Sequence, residues 1–142
     1  VRFERLIIEA DGASRGNPGD AAGGAVAIDP LSGSIVARGG VLCGTASNNV
    51  AEYRGLIEGL EIAFDLAPGA TVHVRMDSKL VVEQMSGRWK IKHPDMQTLA
   101  LRARELIAGH QVSFEWVPRE ENSRADAAAN EALDQGRSYR TV

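Results

Sequence analysis

One cysteine in 142 residues, Cys43, leaves no partner for an internal disulfide and fits a reducing compartment. Long hydrophobic runs are missing as well. No stretch approaches the ~20 apolar residues of a membrane span, and no signal peptide is visible. The expectation is a cytoplasmic chain with no membrane partner. An excess of positive charge is also lacking: the net charge is −3. That argues against a non-specific nucleic-acid coat, because phosphate binding calls on Lys and Arg. It leaves room for an enzyme that reaches phosphate through bound metal ions. There is no Cys/His cluster to suggest zinc, no internal repeat and no low-complexity segment. What remains is ordinary globular material, 44% hydrophobic and 25% charged, long enough for one domain with a real core.

The chain opens with Leu6 to Asp11 as a strand, followed by Gly12 to Gly19, a stretch dense in turn formers. Ala22 to Ile28 is a second strand, in which Gly23 and Gly24 permit close backbone approach. Ile35 to Cys43 is a third, so these strands read as an antiparallel meander. The spacing then predicts a helix from Val50 to Ala67, stopped by Pro68-Gly69. Thr71 to Met76 is a fourth strand, Ser78 to Ser86 a short helix, and Gly87 to His93 a loop. A helix starts at Pro94 and closes at Gly109, a fifth strand covers Gln111 to Val117, and a last helix runs to about Asp134. A meander followed by strand–helix–strand units predicts an α/β fold, with helices on both faces of a mixed sheet. The domain is expected over residues 1–135, with 136–142 a polar tail or linker.

The central helix holds an anomaly. Arg54, Glu58, Glu61 and Asp65 form one charged stripe. Glu52 lies roughly 160° away from Arg54, on the side of Leu56, Gly59 and Ala63. An acid on a buried face is costly unless a metal, a cation or hydrogen bonds neutralise it. Three further acids stand at element junctions: Asp11 and Asp77 at strand ends, Asp126 early in the last helix. Each has a local alternative. Asn49-x-x-Glu52 and Ser123-x-x-Asp126 are capping spacings, Asp77 can cap the next helix, and Asp11 precedes a turn. Taken jointly, strand ends and helix starts can converge on one point, where four carboxylates would repel one another. Oxygen-only ligation by Mg²⁺ or Mn²⁺ is the natural neutraliser, and two such ions can clamp a phosphodiester for in-line displacement.

The residues around these acids carry a resemblance. Asp11-Gly-Ala-Ser-Arg-Gly-Asn-Pro-Gly19, Ser47-Asn-Asn-Val-Ala-Glu52, Met76-Asp-Ser-Lys79 and Trp116-Val-Pro-Arg-Glu-Glu-Asn-Ser-Arg-Ala-Asp126 occur in an order similar to the ribonuclease H type 1 family. The family's implied fold is a five-stranded mixed sheet, three antiparallel strands then two parallel. Its implied activity is two-metal hydrolysis of the RNA strand of RNA–DNA hybrids, leaving 5′-phosphate and 3′-hydroxyl ends. By this resemblance Asp11, Glu52, Asp77 and Asp126 are the catalytic, metal-binding acids, with two Mg²⁺ implied and Mn²⁺ a substitute. Asn17, Asn48 and Asn49 match positions lining the minor groove, where amides can read 2′-hydroxyls. Ser47 matches a phosphate-pocket hydroxyl, Lys79 is placed to meet the backbone, and Trp89 with Lys90 is expected to hold the DNA strand.

Two departures matter. Between Trp116 and Asp126 no histidine occurs, although many members carry one in a longer loop to assist proton transfer or product release. This is similar to a shorter-loop branch, and leaves Arg119 or Glu121 to take over part of that role. His73, His93 and His110 lie elsewhere and read as ordinary surface or strand residues. The basic helix that some members insert after Ser86 is also missing, which implies weaker grip on the hybrid. A monomeric domain is expected, with fusion to another domain, or help from one, left open. Two alternatives remain: a DNA nuclease or strand-transfer enzyme of the same fold, and a non-catalytic hybrid-binding module. Cleavage of duplex RNA, or of single embedded ribonucleotides, is not legible in the sequence.

Overall fold

The computed structural model describes residues 3–142, so the first two residues of the expected domain lie outside the described part. Three long strands form the meander: β1 (Arg5–Gly16), β2 (Gly19–Ile28) and β3 (Ile35–Ala46). The segment after Asp11 is not a loop. β1 and β2 stay paired as far as Gly16 opposite Gly19, leaving only Asn17-Pro18 to turn the chain. Turn-forming residues fill the strand ends here because antiparallel pairing satisfies their backbone groups regardless of β propensity. Then follow α1 (Asn48–Leu66), β4 (Thr71–Met76), α2 (Lys79–Met85), α3 (Pro94–Ile107), β5 (Val112–Trp116), a 3₁₀ turn (Arg119–Glu121), α4 (Ser123–Gln135) and β6 (Tyr139–Thr141).

The sheet order is β5-β4-β1-β2-β3-β6. β1, β2 and β3 are antiparallel to their neighbours in the meander, while β4 joins β1 and β5 joins β4 in parallel. The mixed α/β sheet is as expected, with one correction: among the described residues there are six strands, not five. Tyr139–Thr141, within the segment expected to be a polar tail, pairs antiparallel with Arg38–Gly40 of β3. The reason lies in Arg140. Its guanidinium binds Glu58 at 3.0 and 3.1 Å, Glu61 at 3.1 Å and Asp65 at 3.1 Å. Three acids of the charged stripe on α1 thus meet a cation from the last strand. Short segments without periodicity hide such pairing from a one-dimensional reading.

One face of the sheet carries the main core: Leu6, Ile8 and Ala10 of β1 pack with Tyr53, Leu56 and Leu60 of α1, and with Val81, Ala100 and Ala103 of α2 and α3. The other face is covered by α4 through an alanine stripe, Ala125, Ala128, Ala129 and Ala132, all fully buried. Small residues bring α1 very close to the strands. A Cβ on Gly55 would collide with the Asp11 carbonyl oxygen, and one on Gly12 with the backbone of Ala51 and Glu52. Gly55→Ala is therefore expected to cost ~1–3 kcal/mol or more by overpacking, read as a lower urea midpoint. It should also lower any activity, since α1 and β1 must part. An unchanged midpoint would contradict the close approach. Among the described residues no helix is long and apolar enough to cross a membrane.

Candidate active site

The site forms beside the middle of β1, where β4 ends and α1 and α4 begin. Asp11, expected at a strand end, lies mid-strand opposite Gly24, because β1 stays paired with β2 as far as Gly16. Ser47, not Asn49, caps α1: its Oγ accepts the Val50 N–H at 3.2 Å. Glu52 is thereby left inside the helix, with no capping task. Likewise Ser78 caps α2, accepting the Val81 N–H at 3.2 Å, which releases Asp77 from that role. The local alternatives for these two acids do not hold. Asp11, Glu52 and Asp77 each offer a ligand oxygen, and these atoms all lie within 4.8 Å of one another. Asp126 sits in the first turn of α4 and is not one of this close trio. Its charge still reaches Asp11, and its carboxylate accepts from Asn130 Nδ2 at 3.3 Å.

The electrostatics are those of an unneutralised cluster. Asp11, only 5% exposed, has its pKa pushed up from 3.8 to about 7. Burial is the main cause; the charges of Asp77 and Asp126 add to it, against hydrogen bonds from Glu52 and Gly12. Glu52 is raised well above its ordinary value, first by burial, then by the charge of Asp11 and a shared hydrogen bond with it. Its Oε2 is buried without a hydrogen-bond partner. A buried acceptor left unmatched beside two further carboxylates suits a cation, and an all-oxygen donor set suits Mg²⁺ or Mn²⁺.

The remaining sequence-predicted residues lie outside this trio. Asn17, at the hairpin tip, accepts the Asn48 N–H at 3.1 Å through Oδ1 and so ties the tip to the start of α1. Asn48 and Asn49 are exposed beside it. Lys79 lies with Nζ 5.8 Å from the centre of the Trp116 ring. Trp116 is half-exposed, and its indole N–H donates to the Asp77 carbonyl at 3.2 Å. Trp89 and Lys90 line an open groove with Gln84, Gln97 and Arg104. Gln84, fully buried, holds that loop by donating to the Lys90 carbonyl at 3.1 Å and accepting from Tyr53 Oη at 2.6 Å. Arg119 is exposed in the 3₁₀ turn. Glu121 is engaged by Arg75 at 3.2 Å, and it is not part of the close carboxylate set.

Several contributors were not legible. Glu9 is 1% exposed and takes Arg75 at 3.1 Å and Arg124 at 3.0 and 3.1 Å, which fastens α4 to β1 and β4. Asn122, at the N-cap position of α4, makes no side-chain capping bond and reaches Asp77 instead. Only a contact map would have revealed either, since their partners lie far away in sequence.

The reverse transcriptase-like family model matches residues 9–132. The chain is 53% identical over 132 residues to "Bifunctional protein Rv2228c" of Mycobacterium tuberculosis, which covers 92% of this chain. It spans only 36% of that relative's length. To "Ribonuclease HI" of Halobacterium salinarum it is 50% identical over 125 residues, 87% of this chain and 62% of the relative. The solved structure of LC11-RNase H1 in complex with an RNA/DNA hybrid is 36% identical, with a TM-score of 0.87 over 93% of this chain and 99% of that one. These matches define the class, a ribonuclease H-like α/β domain. Within it, the chain belongs to the ribonuclease H type 1 family.

Proposed function

We propose that this chain is an endonuclease that hydrolyses the RNA strand of RNA–DNA hybrids with divalent cations, leaving 5′-phosphate and 3′-hydroxyl ends. One observation carries the reading: three carboxylates, from β1, from α1 and from the residue that follows β4, within 4.8 Å, one of them with a buried, unpartnered oxygen. The names of the relatives agree with it, as does the hybrid bound in the LC11 complex.

Asp11, Glu52 and Asp77 would hold the ions, with Asp126 completing the set from α4. When bound, two Mg²⁺ supply charge neutralisation, an activated water and stabilisation of the leaving oxygen. The chain's own work is positioning. The exposed amides of Asn17, Asn48 and Asn49 would meet 2′-hydroxyls across the minor groove. The Ser47 hydroxyl, already an acceptor for its helix, keeps its proton to donate to a phosphate. Lys79, steered by Trp116, would meet the RNA backbone, and Trp89 with Lys90 the DNA strand. The loop before Asp126 carries no histidine, which supports a short-loop member. Arg119 is the freer candidate for an assisting role there, since Glu121 is engaged by Arg75. The acidic total and the missing basic insertion support a modest intrinsic grip, which a partner or a further domain would strengthen.

The test is cleavage of end-labelled hybrid, duplex DNA, duplex RNA and single-stranded RNA, with Mg²⁺ and with chelator. The expected result is cutting of the hybrid's RNA strand only, abolished by chelator. Equal cutting of duplex DNA would point to a DNA nuclease or strand-transfer enzyme. Binding of hybrid with no cleavage of any substrate would point to a non-catalytic module. Activity that survives chelation would remove the metal mechanism.

A further inference from the structure

Asn122 occupies the N-cap position of α4, where an asparagine ordinarily turns its side-chain oxygen onto its own helix's N–H groups. Here it makes no such bond. The side chain is turned inward, and the residue is 1% exposed. Its Nδ2 donates to the Ala10 carbonyl at 2.9 Å and to Asp77 Oδ1 at 3.0 Å. Both neighbours are acceptors, so the amide nitrogen must face them, and both of its hydrogens are used. The price is paid on the other side: Asn122 Oδ1 is buried with no partner. A residue that forgoes its local cap and leaves an oxygen unsatisfied, in order to reach 112 and 45 residues away, needs a reason beyond stability.

The bonds supply one. Ala10 precedes Asp11 on β1, Asp77 follows β4, and Asp126 lies four residues after Asn122 on α4. One amide therefore links the three elements that carry three of the four acids. Fixing one oxygen of Asp77 sets the direction of the other. We infer that Asn122 is a positioning residue: it orients the Asp77 carboxylate for cation binding and holds α4 in register with β1 and β4. This rests on the proposed metal site. The partners that orient ligating carboxylates typically change metal affinity 10–100-fold when removed.

The experiment is calorimetric titration of Mn²⁺ into the wild-type chain, Asn122→Ala and Asn122→Leu, each kept well below its melting temperature. Leu fills the volume that Ala empties, so a packing defect in one is absent from the other. Leu6→Ala, a core deletion at the far end of β1, serves as a destabilised control. The expectation is Mn²⁺ dissociation constants raised ~10–100-fold in both Asn122 variants and unchanged in Leu6→Ala. In hybrid cleavage, kcat at fixed low Mg²⁺ should fall, KM for hybrid should stay within about twofold, and added Mg²⁺ should recover part of the loss. Asn122 variants that melt earlier yet bind Mn²⁺ as tightly as wild type would overturn the inference and leave a structural role. A wild-type chain that takes up no Mn²⁺ would overturn the metal site itself, and this inference with it.

Discussion

Asp77→Asn is expected to leave a folded protein that cuts hybrid at least ~10²–10³-fold more slowly, with KM for the hybrid little changed. The substitution is nearly isosteric. The asparagine's oxygen can still accept from Asn122 Nδ2, which holds Asp77 at 3.0 Å, and the backbone carbonyl can still accept the Trp116 indole N–H. What disappears is one of three carboxylates gathered within 4.8 Å. Without ions that loss relieves repulsion, so the melting temperature in chelator should hold or rise. With Mn²⁺ present, the wild type should gain stability and Asp77→Asn should gain little, because only a bound ion adds to folding free energy. Calorimetric melting with and without Mn²⁺, beside single-turnover cleavage, checks both halves. Near-normal turnover in Asp77→Asn would rule out the carboxylate cluster as the catalytic centre.

Metal-free protein is expected to lose stability as pH rises from about 4 to about 7, against the usual trend for carboxylates. Asp11 is raised from 3.8 to about 7 by burial and by neighbouring charge, and Glu52 moves in the same direction. For an acid whose folded pKa lies above its unfolded value, the folded state binds more protons across that interval. Stability is then full below the unfolded pKa and declines as pH climbs to the folded one. For Asp11 alone this is ~4 kcal/mol at most, or about 10 °C in melting temperature. Glu83 and Glu115 are lowered instead, by hydrogen bonds with Arg88 and His73 respectively. Their contribution is lost as pH falls below the ordinary value of 4.5, so it stays constant over the range from pH 5 upward. Divalent cations should reverse the slope, since they bind the deprotonated cluster. Glu52→Gln in chelator should flatten it. Denaturant midpoints from pH 5 to 7.5, with chelator and with Mg²⁺, decide the matter; midpoints rising with pH in chelator would show that the pair is not held protonated.

Glu52 shows how far a one-dimensional reading reaches. Its angular position on α1 marked it as an acid on a buried face, because helical period is a local property. Its competing role as part of a capping box was equally legible, and only the hydrogen bond from Val50 N–H to Ser47 Oγ decided between them. The hairpin after Asp11 went the other way: its residues favour turns, yet β1 and β2 pair through them to Gly16 and Gly19. Arg140 is a third case. Nothing near it in the chain speaks of structure, but three acids on α1 bind it and make β6 a strand.

The order of β1 to β5 and of α1 to α4, and the acids Asp77 and Asp126 near element ends, follow from the chain itself. Periodicity, turn residues and charge at element ends act over a few neighbours, so they survive without coordinates. Which carboxylates come within ligand distance, that Asp126 stands outside the close trio, and that Asn122 faces inward to Asp77 all depended on the tertiary structure. Such contacts join residues tens of positions apart, and they exist only once the sheet has brought β1, β4 and the two helix starts to one point.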